Sequence, residues 1–147
     1  MNVWRLHDDK QESQIRIRLY APTSEKICLT FNPLKMSQIP GWNPQWEEWH
    51  CYRNPLVIYL QDYEKLLMPY FERLYPTKDA FSGEVETYFD VCFDNWLGQK
   101  DWTKFISEIE GEFYIFSEEE KTFYKELINW IYTALAYTSI IVVEGNQ

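Results

Sequence analysis

Acidic side chains recur at regular spacing in the stretch from Glu84 to Gly111, EVETYFDVCFDNWLGQKDWTKFISEIEG. Glu86, Asp90 and Asp94 are four residues apart, and Asp101 follows them. Carboxylates that share one surface can hold a divalent cation, act as an acid and base pair, or attract a basic partner. The choice between these chemistries depends on how the chain presents the four side chains.

Alternation of side-chain type predicts a β-strand over residues 85–94, because side chains of a strand point to opposite faces in turn. The apolar face carries Val85, Thr87, Phe89, Val91 and Phe93, and the other carries Glu86, Tyr88, Asp90, Cys92 and Asp94. A helix would scatter the same acids around its circumference. The pattern therefore predicts a row of acids on one exposed strand face.

A turn and a helix are predicted to follow this strand. Asn95 and Gly98 are residues typical of tight turns. The helix is indicated by an apolar stripe at Trp102, Phe105, Ile106 and Ile109, with Gly111 as its end. We expect Asp101 to cap this helix and to extend the acidic row. Trp96 is predicted to be an exposed contact residue at the turn, whereas Trp102 belongs to the core.

The other elements predict an α+β fold in one domain spanning residues 1–147, with helices packed on a single-layer sheet. Three short apolar segments, at residues 3–6, 15–19 and 26–31, predict an N-terminal antiparallel β-meander. The spacing of apolar residues predicts a helix over 60–75 that Pro69 kinks or divides. Ser117 and Glu120 form a capping box that starts a third amphipathic helix, which ends near Ala136. A buried strand is predicted at 139–144.

Residues 32–55 are predicted to form a long loop, because they contain four of the seven prolines. This loop also holds Trp42, Trp46 and Trp49. Two interpretations remain open: the tryptophans form a lid over the core, or they form an exposed docking patch. His7 and His50 are the only histidines, and no nucleotide-binding or hydrolase motif accompanies them.

The net charge is −9 and the isoelectric point is about 4.7. This charge disfavours nucleic acid as a partner, because phosphate backbones are bound by lysine and arginine. It favours a basic partner, although acidity alone also keeps a protein soluble.

Three widely spaced cysteines indicate neither disulfides nor a zinc site. No signal peptide or membrane span is evident, so we expect a cytoplasmic protein.

The segment FDVCFDNWLGQKDW at residues 89–102, in a small, acidic and aromatic-rich chain without a catalytic motif, resembles bacterial immunity proteins. These neutralise polymorphic toxins, such as the LXG type. The resemblance implies stoichiometric inhibition of a basic toxin domain, often a nuclease, without enzymatic activity, cofactor or metal. The residues of this sequence are compatible with such binding: Glu86, Asp90, Asp94 and Asp101 would fill the toxin's cationic groove, and Trp96 or Trp102 would provide an apolar anchor, of which Trp96 is the better candidate.

Two other function classes remain open. The first is a small cytosolic enzyme or metal-binding protein that uses the acidic row or the pair His50 and Cys51, and the second is a structural or regulatory module. Such a module would self-associate as a homodimer through the loop with Trp42, Trp46 and Trp49.

Overall fold

The computed structural model describes residues 14–34 and 54–146. Its strands are β1 (Ile15–Ile17), β2 (Cys28–Pro33), β3 (Leu56–Tyr59), β4 (Thr77–Lys78), β5 (Val85–Glu86), β6 (Asp94–Gly98) and β7 (Ile140–Gly145). In this part of the chain, five strands form a sheet in the order β1-β3-β2-β7-β6, and β4 pairs with β5 in a separate ribbon. β1 runs parallel to β3, and the other neighbours are antiparallel.

Three helical stretches pack on this sheet, which confirms the predicted α+β class. The first, α1, joins an α-helical turn (Leu60–Asp62), a π-helical turn (Tyr63–Leu67) and a second α-helical turn (Met68–Glu72). The others are α2 (Gln99–Gly111) and α3 (Glu118–Leu135), linked by a 3₁₀ turn (Phe113–Ile115). All three contribute to one core, because the buried ring of Phe31 on β2 contacts Phe71 of α1, Trp102 of α2 and Trp130 of α3.

The prediction of an antiparallel meander at the N-terminus is wrong in its topology. β1 and β2 are both strands, as expected, but β3 lies between them and pairs with each. All four residues of β3 are apolar and buried. The backbone N–H and C=O groups of a buried strand need hydrogen-bond partners on both sides. β3 therefore occupies an inner position in the sheet, and β1 lies at its edge. The segment at residues 3–6 lies outside the described residues.

The helix predictions are largely confirmed. Pro69 has no N–H, and its ring would collide with the preceding turn of an α-helix. The helix widens just before Pro69, where the N–H of Met68 donates to the carbonyl of Tyr63. At the start of α3, Ser117 accepts a hydrogen bond from Glu120 N, and the carboxylate of Glu120 accepts one from Ser117 N. β7 confirms the strand predicted at 139–144.

The buried carboxylate of Asp62 in α1 holds the turn that follows β1. Asp62 is fully buried, and its two oxygens accept hydrogen bonds from the backbone N–H groups of Leu19, Tyr20 and Ala21 at 2.9, 2.6 and 3.2 Å. Three donors to one carboxylate compensate for removing the charge from water. Asp62 therefore ties the edge of the sheet to the first helix.

Asp62→Asn should lower the free energy of unfolding by about 1–3 kcal/mol, because an amide N–H₂ would face at least one backbone N–H without an acceptor. Chemical denaturation measures the change. Glu64→Gln is the matched control two residues away, since Glu64 is exposed. It should change stability by less than about 0.5 kcal/mol. Equal effects of the two substitutions would contradict this role of Asp62.

Candidate functional site

The strand predicted over residues 85–94 is wrong in its extent. Only Val85–Glu86 form a strand there, residues 87–93 form a loop, and the next strand, β6, begins at Asp94. The reason lies in burial: Phe89 is only 9% exposed, but Phe93, predicted to lie on the same buried face, is 69% exposed. Asn95 and Gly98, predicted as turn residues, belong to β6 instead.

The loop nevertheless gathers the predicted acids around a cleft of about 200 Å³. Glu86, Asp90 and Asp94 line this cleft, as does Trp96. A fourth carboxylate, which the sequence analysis did not single out, comes from Asp79. Four of the five predicted partner-binding residues therefore meet at one place, although a loop and two strands position them rather than one strand.

The fifth predicted residue, Asp101, does not line the cleft. Its expected role as the helix cap is also wrong, because the N-cap of α2 is Gly98 and Asp101 is the third helical residue. Its carboxylate accepts hydrogen bonds from Gly98 N at 3.2 Å and from the hydroxyl of Thr77 at 2.7 Å. Asp101 thus joins the ribbon that carries Glu86 to the start of α2.

Aromatic side chains complete the surface of the cleft. Tyr88 and Phe93 line it and are 66% and 69% exposed. Trp96, predicted as an exposed residue at a turn, is instead half-buried on β6, and its ring centroid lies 5.1 Å from that of the exposed Phe81. The carboxylates of the cleft and these rings together form a surface that we call the acidic face: Asp79, Phe81, Glu86, Tyr88, Asp90, Phe93, Asp94 and Trp96.

Phe89 anchors the loop of the acidic face in the core. Its ring stacks on that of Phe71 with centroids 4.2 Å apart, and on that of Tyr63 at 5.5 Å. Tyr75 contacts it edge-on at 6.3 Å. Stacked and edge-on pairs add to the stabilisation from buried area. Phe89 is therefore the one buried side chain of the loop, Val91 packs against the core as a partly buried residue, and Tyr88, Cys92 and Phe93 are exposed.

Asn95 fixes the acidic end of the loop to the sheet. Its Oδ1 accepts from Asp90 N at 2.8 Å, and its Nδ2 donates to the carbonyls of Asp90 at 2.7 Å and Val143 at 3.1 Å. The side chain of Asp90 in turn accepts from Cys92 N at 2.8 Å. Asn95 is buried, so these bonds satisfy polar groups that water does not reach. The position of Asp90 is thereby well determined.

A glycine on β7 allows the loop to pass close to the sheet. A Cβ atom built at Gly145 would lie 1.7 Å from the carbonyl oxygen of Val91. No side chain can occupy that space, so the residue at 145 has to be glycine for the loop to keep this path. Sequence reasoning missed Gly145 because nothing in its local pattern indicates a neighbour from residue 91.

The negative charge of the site affects the phenol of Tyr75, which also lines the cleft. Its pKa is raised above the ordinary value, first by burial and then by the charges of Asp101, Glu86 and Asp79. A raised pKa keeps this hydroxyl protonated at neutral pH. Tyr75 therefore adds a neutral hydrogen-bonding group to an otherwise negatively charged cleft.

A cluster suited to a metal ion is absent from the described part of the chain. Among residues 14–34 and 54–146, no three His, Cys, Asp or Glu side chains are grouped so that they could hold a metal ion. His7, His50 and Cys51 lie outside the described residues, as do Trp42, Trp46 and Trp49. Within the same ranges, no helix combines the length and apolar character needed to cross a lipid bilayer.

Comparison with known proteins finds no matching family model, no matching curated protein and no matching solved structure.

Phe89→Ala should lower the free energy of unfolding by about 3–5 kcal/mol, because it leaves a cavity between Phe71 and Tyr63. Phe93→Ala is the matched control on the same loop, and it should change stability by less than about 0.5 kcal/mol because Phe93 is exposed. Urea denaturation of both variants tests the assignment. A larger loss for Phe93→Ala than for Phe89→Ala would show that the loop is anchored differently.

Gly145→Ala should move the loop away from β7 and lower stability by about 1–3 kcal/mol, since the Val91 carbonyl has to shift to admit a methyl group. Amide chemical shifts of residues 90–95 should change with it. Gly111→Ala is the control: nothing lies within 4 Å of a Cβ there, and we expect a gain of up to about 1 kcal/mol. Unchanged shifts at 90–95 in Gly145→Ala would refute the close approach.

Proposed function

We propose that this chain is an immunity protein, which binds a toxin domain with a basic surface through the acidic face and blocks its activity. The observation that carries the proposal is the combination of exposed aromatic rings with four carboxylates at one cleft. The carboxylates belong to Asp79, Glu86, Asp90 and Asp94, and the most exposed rings to Tyr88 and Phe93.

The aromatic part of the face supports a protein partner. Tyrosine and tryptophan dominate the binding energy of many protein interfaces, because they bury a large area with few rotatable bonds. Tyr88 and Phe93 are exposed although both have large apolar rings. Trp96 is half-buried at the cleft and next to the ring of Phe81. A partner that covers these rings would remove apolar surface from water.

The charge of the face supports a basic partner. Carboxylates that line one cleft carry charges of the same sign, so lysine or arginine side chains of a partner would be attracted to them. The net charge of −9 adds a long-range attraction that speeds association with a cationic domain. A nuclease groove that normally holds phosphates is a surface of this kind, whereas nucleic acid itself would be repelled.

The rigidity of the face supports tight binding. Phe89 fixes the loop to the core, Asn95 bonds it to β7, and Gly145 lets the two segments approach closely. A loop that is ordered before binding loses little conformational entropy when the complex forms. The same loop therefore has the properties of a preformed binding element.

Each predicted residue has a role in the proposal. Glu86, Asp90 and Asp94 meet the cationic groups of the toxin, and Trp96 provides an apolar anchor. Asp101 supports the ribbon that carries Glu86, because its carboxylate is bonded to Thr77 and Gly98. Inhibition of this kind takes place in the cytoplasm of the producing cell and uses no cofactor or catalytic step.

If the chain is an immunity protein, we expect its toxin to be encoded by the neighbouring gene. Glu86→Lys should weaken binding of that purified toxin domain by about tenfold, because it places a positive charge opposite a basic surface. Isothermal titration calorimetry measures the affinity, and growth of cells that express the toxin measures protection. Raising the salt concentration should weaken the wild-type complex more than the variant complex.

Glu126→Lys is the matched control, since it makes the same change of charge at an exposed position of α3. It should bind and protect almost as well as the wild-type chain. Equal affinity of the toxin for Glu86→Lys and the wild-type chain would contradict the assignment of the acidic face. A neighbouring gene product that does not bind the wild-type chain at all would contradict the immunity function.

A further inference from the structure

A second surface with exposed apolar side chains lies where α2 ends and α3 begins. Three large side chains there are exposed: Tyr114 by 82%, Ile115 by 61% and Tyr132 by 55%. A groove of about 410 Å³ opens beside them. We call this region the corner surface, defined by Glu110, Phe113, Tyr114, Ile115, Lys125, Ile128 and Tyr132.

The corner surface contains both a hollow and protruding side chains. Phe113 and Ile128 line the groove, and Tyr132 lines it as an exposed side chain. The ring of Phe113 packs against those of Phe116 at 5.7 Å and Tyr124 at 6.4 Å, so that part of the groove is fixed to the core. Tyr114 and Ile115 follow Phe113 in the same 3₁₀ turn and are exposed to solvent.

The groove of the corner surface is lined by one charge of each sign, whereas the charges of the acidic face are all negative. Glu110 at the end of α2 and Lys125 on α3 both line the groove. Both residues are exposed. One carboxylate and one ammonium group at the same hollow are complementary to a surface that carries the same pair in the opposite arrangement.

We propose that the corner surface binds a second copy of this chain in a two-fold symmetric dimer. A two-fold interface brings the same patch of both subunits together, so every protruding group has to find its complement within that patch. Tyr132 of one copy would enter the groove of the other, and Glu110 of each copy would face Lys125 of the other.

Charge also explains why the second copy binds here rather than at the acidic face. The chain has a net charge of −9, so two copies repel each other over most approaches. Two acidic faces would bring eight carboxylates together, whereas two corner surfaces pair opposite charges. The corner surface shares no residue with the acidic face, and the dimer does not depend on the proposed immunity function.

Sedimentation velocity of the full chain at several concentrations tests the dimer without any toxin. We expect a monomer–dimer equilibrium with a dissociation constant in the micromolar range, as for other interfaces of modest size.

Tyr132→Asp should raise this constant by at least about tenfold, because it places a charge in an apolar groove. Tyr88→Asp, the same substitution at an exposed tyrosine of the acidic face, should leave the constant unchanged. Circular dichroism and thermal unfolding verify that both variants are folded.

A charge exchange provides the second arm of the test. Glu110→Lys and Lys125→Glu should each raise the dissociation constant by about tenfold, because like charges then meet across the interface. The double variant should restore it to within about threefold, since opposite charges meet again. A chain that stays monomeric at every soluble concentration overturns the proposal. So does a dimer that Tyr132→Asp or the single charge reversals leave unaffected.

Discussion

The contact between Phe71 and Phe89 is the interaction on which the acidic face depends. Phe71 is fully buried, and its ring also contacts Phe31 of the sheet and Trp102 and Phe105 of α2. One ring thus links the first helix, the second helix, the sheet and the loop. Because the loop has a single buried anchor, the surrounding side chains can remain exposed without loss of order. The acidic face is therefore held in place mainly by Phe89 and by the hydrogen bonds of Asn95, while Tyr88 and Phe93 remain exposed.

The high aromatic content of 18% serves two purposes in this arrangement. Some rings, such as Trp102 and Phe105, are buried and hold the helices on the sheet. Others, such as Tyr88 and Phe93, remain exposed beside carboxylates. Composition alone does not separate these roles, since both need large apolar rings. The division follows from the path of the chain, because Phe89 enters the core and Phe93, four residues later, does not.

Local signals explain which parts of the structure could be predicted from the sequence. The start of α3 depends on Ser117 and Glu120, which are three residues apart. Glu86, Asp90 and Asp94 all lie within residues 86–94, so they meet at one cleft although the strand predicted to carry them is wrong in its extent. The prediction failed where long-range contacts decide the outcome. The side chain of Asn95 donates a hydrogen bond to the carbonyl of Val143, 48 residues away. The carbonyl of Val91 leaves no room for a side chain at Gly145. β3 inserts between β1 and β2 because its four residues are all buried. The contacts of Asn95 and Gly145 have no signature within a short stretch of sequence.

The central claim is that the loop of the acidic face binds a basic protein as a preformed element. Amide hydrogen exchange of this chain, alone and in complex with the toxin domain encoded by the neighbouring gene, tests it most directly. The account predicts measurable protection in the free chain at the amides of Asp90 and Cys92, which are hydrogen-bonded, and further protection of residues 79–96 in the complex. Rapid exchange of those two amides in the free chain, or protection in the complex that spares residues 79–96, would contradict it.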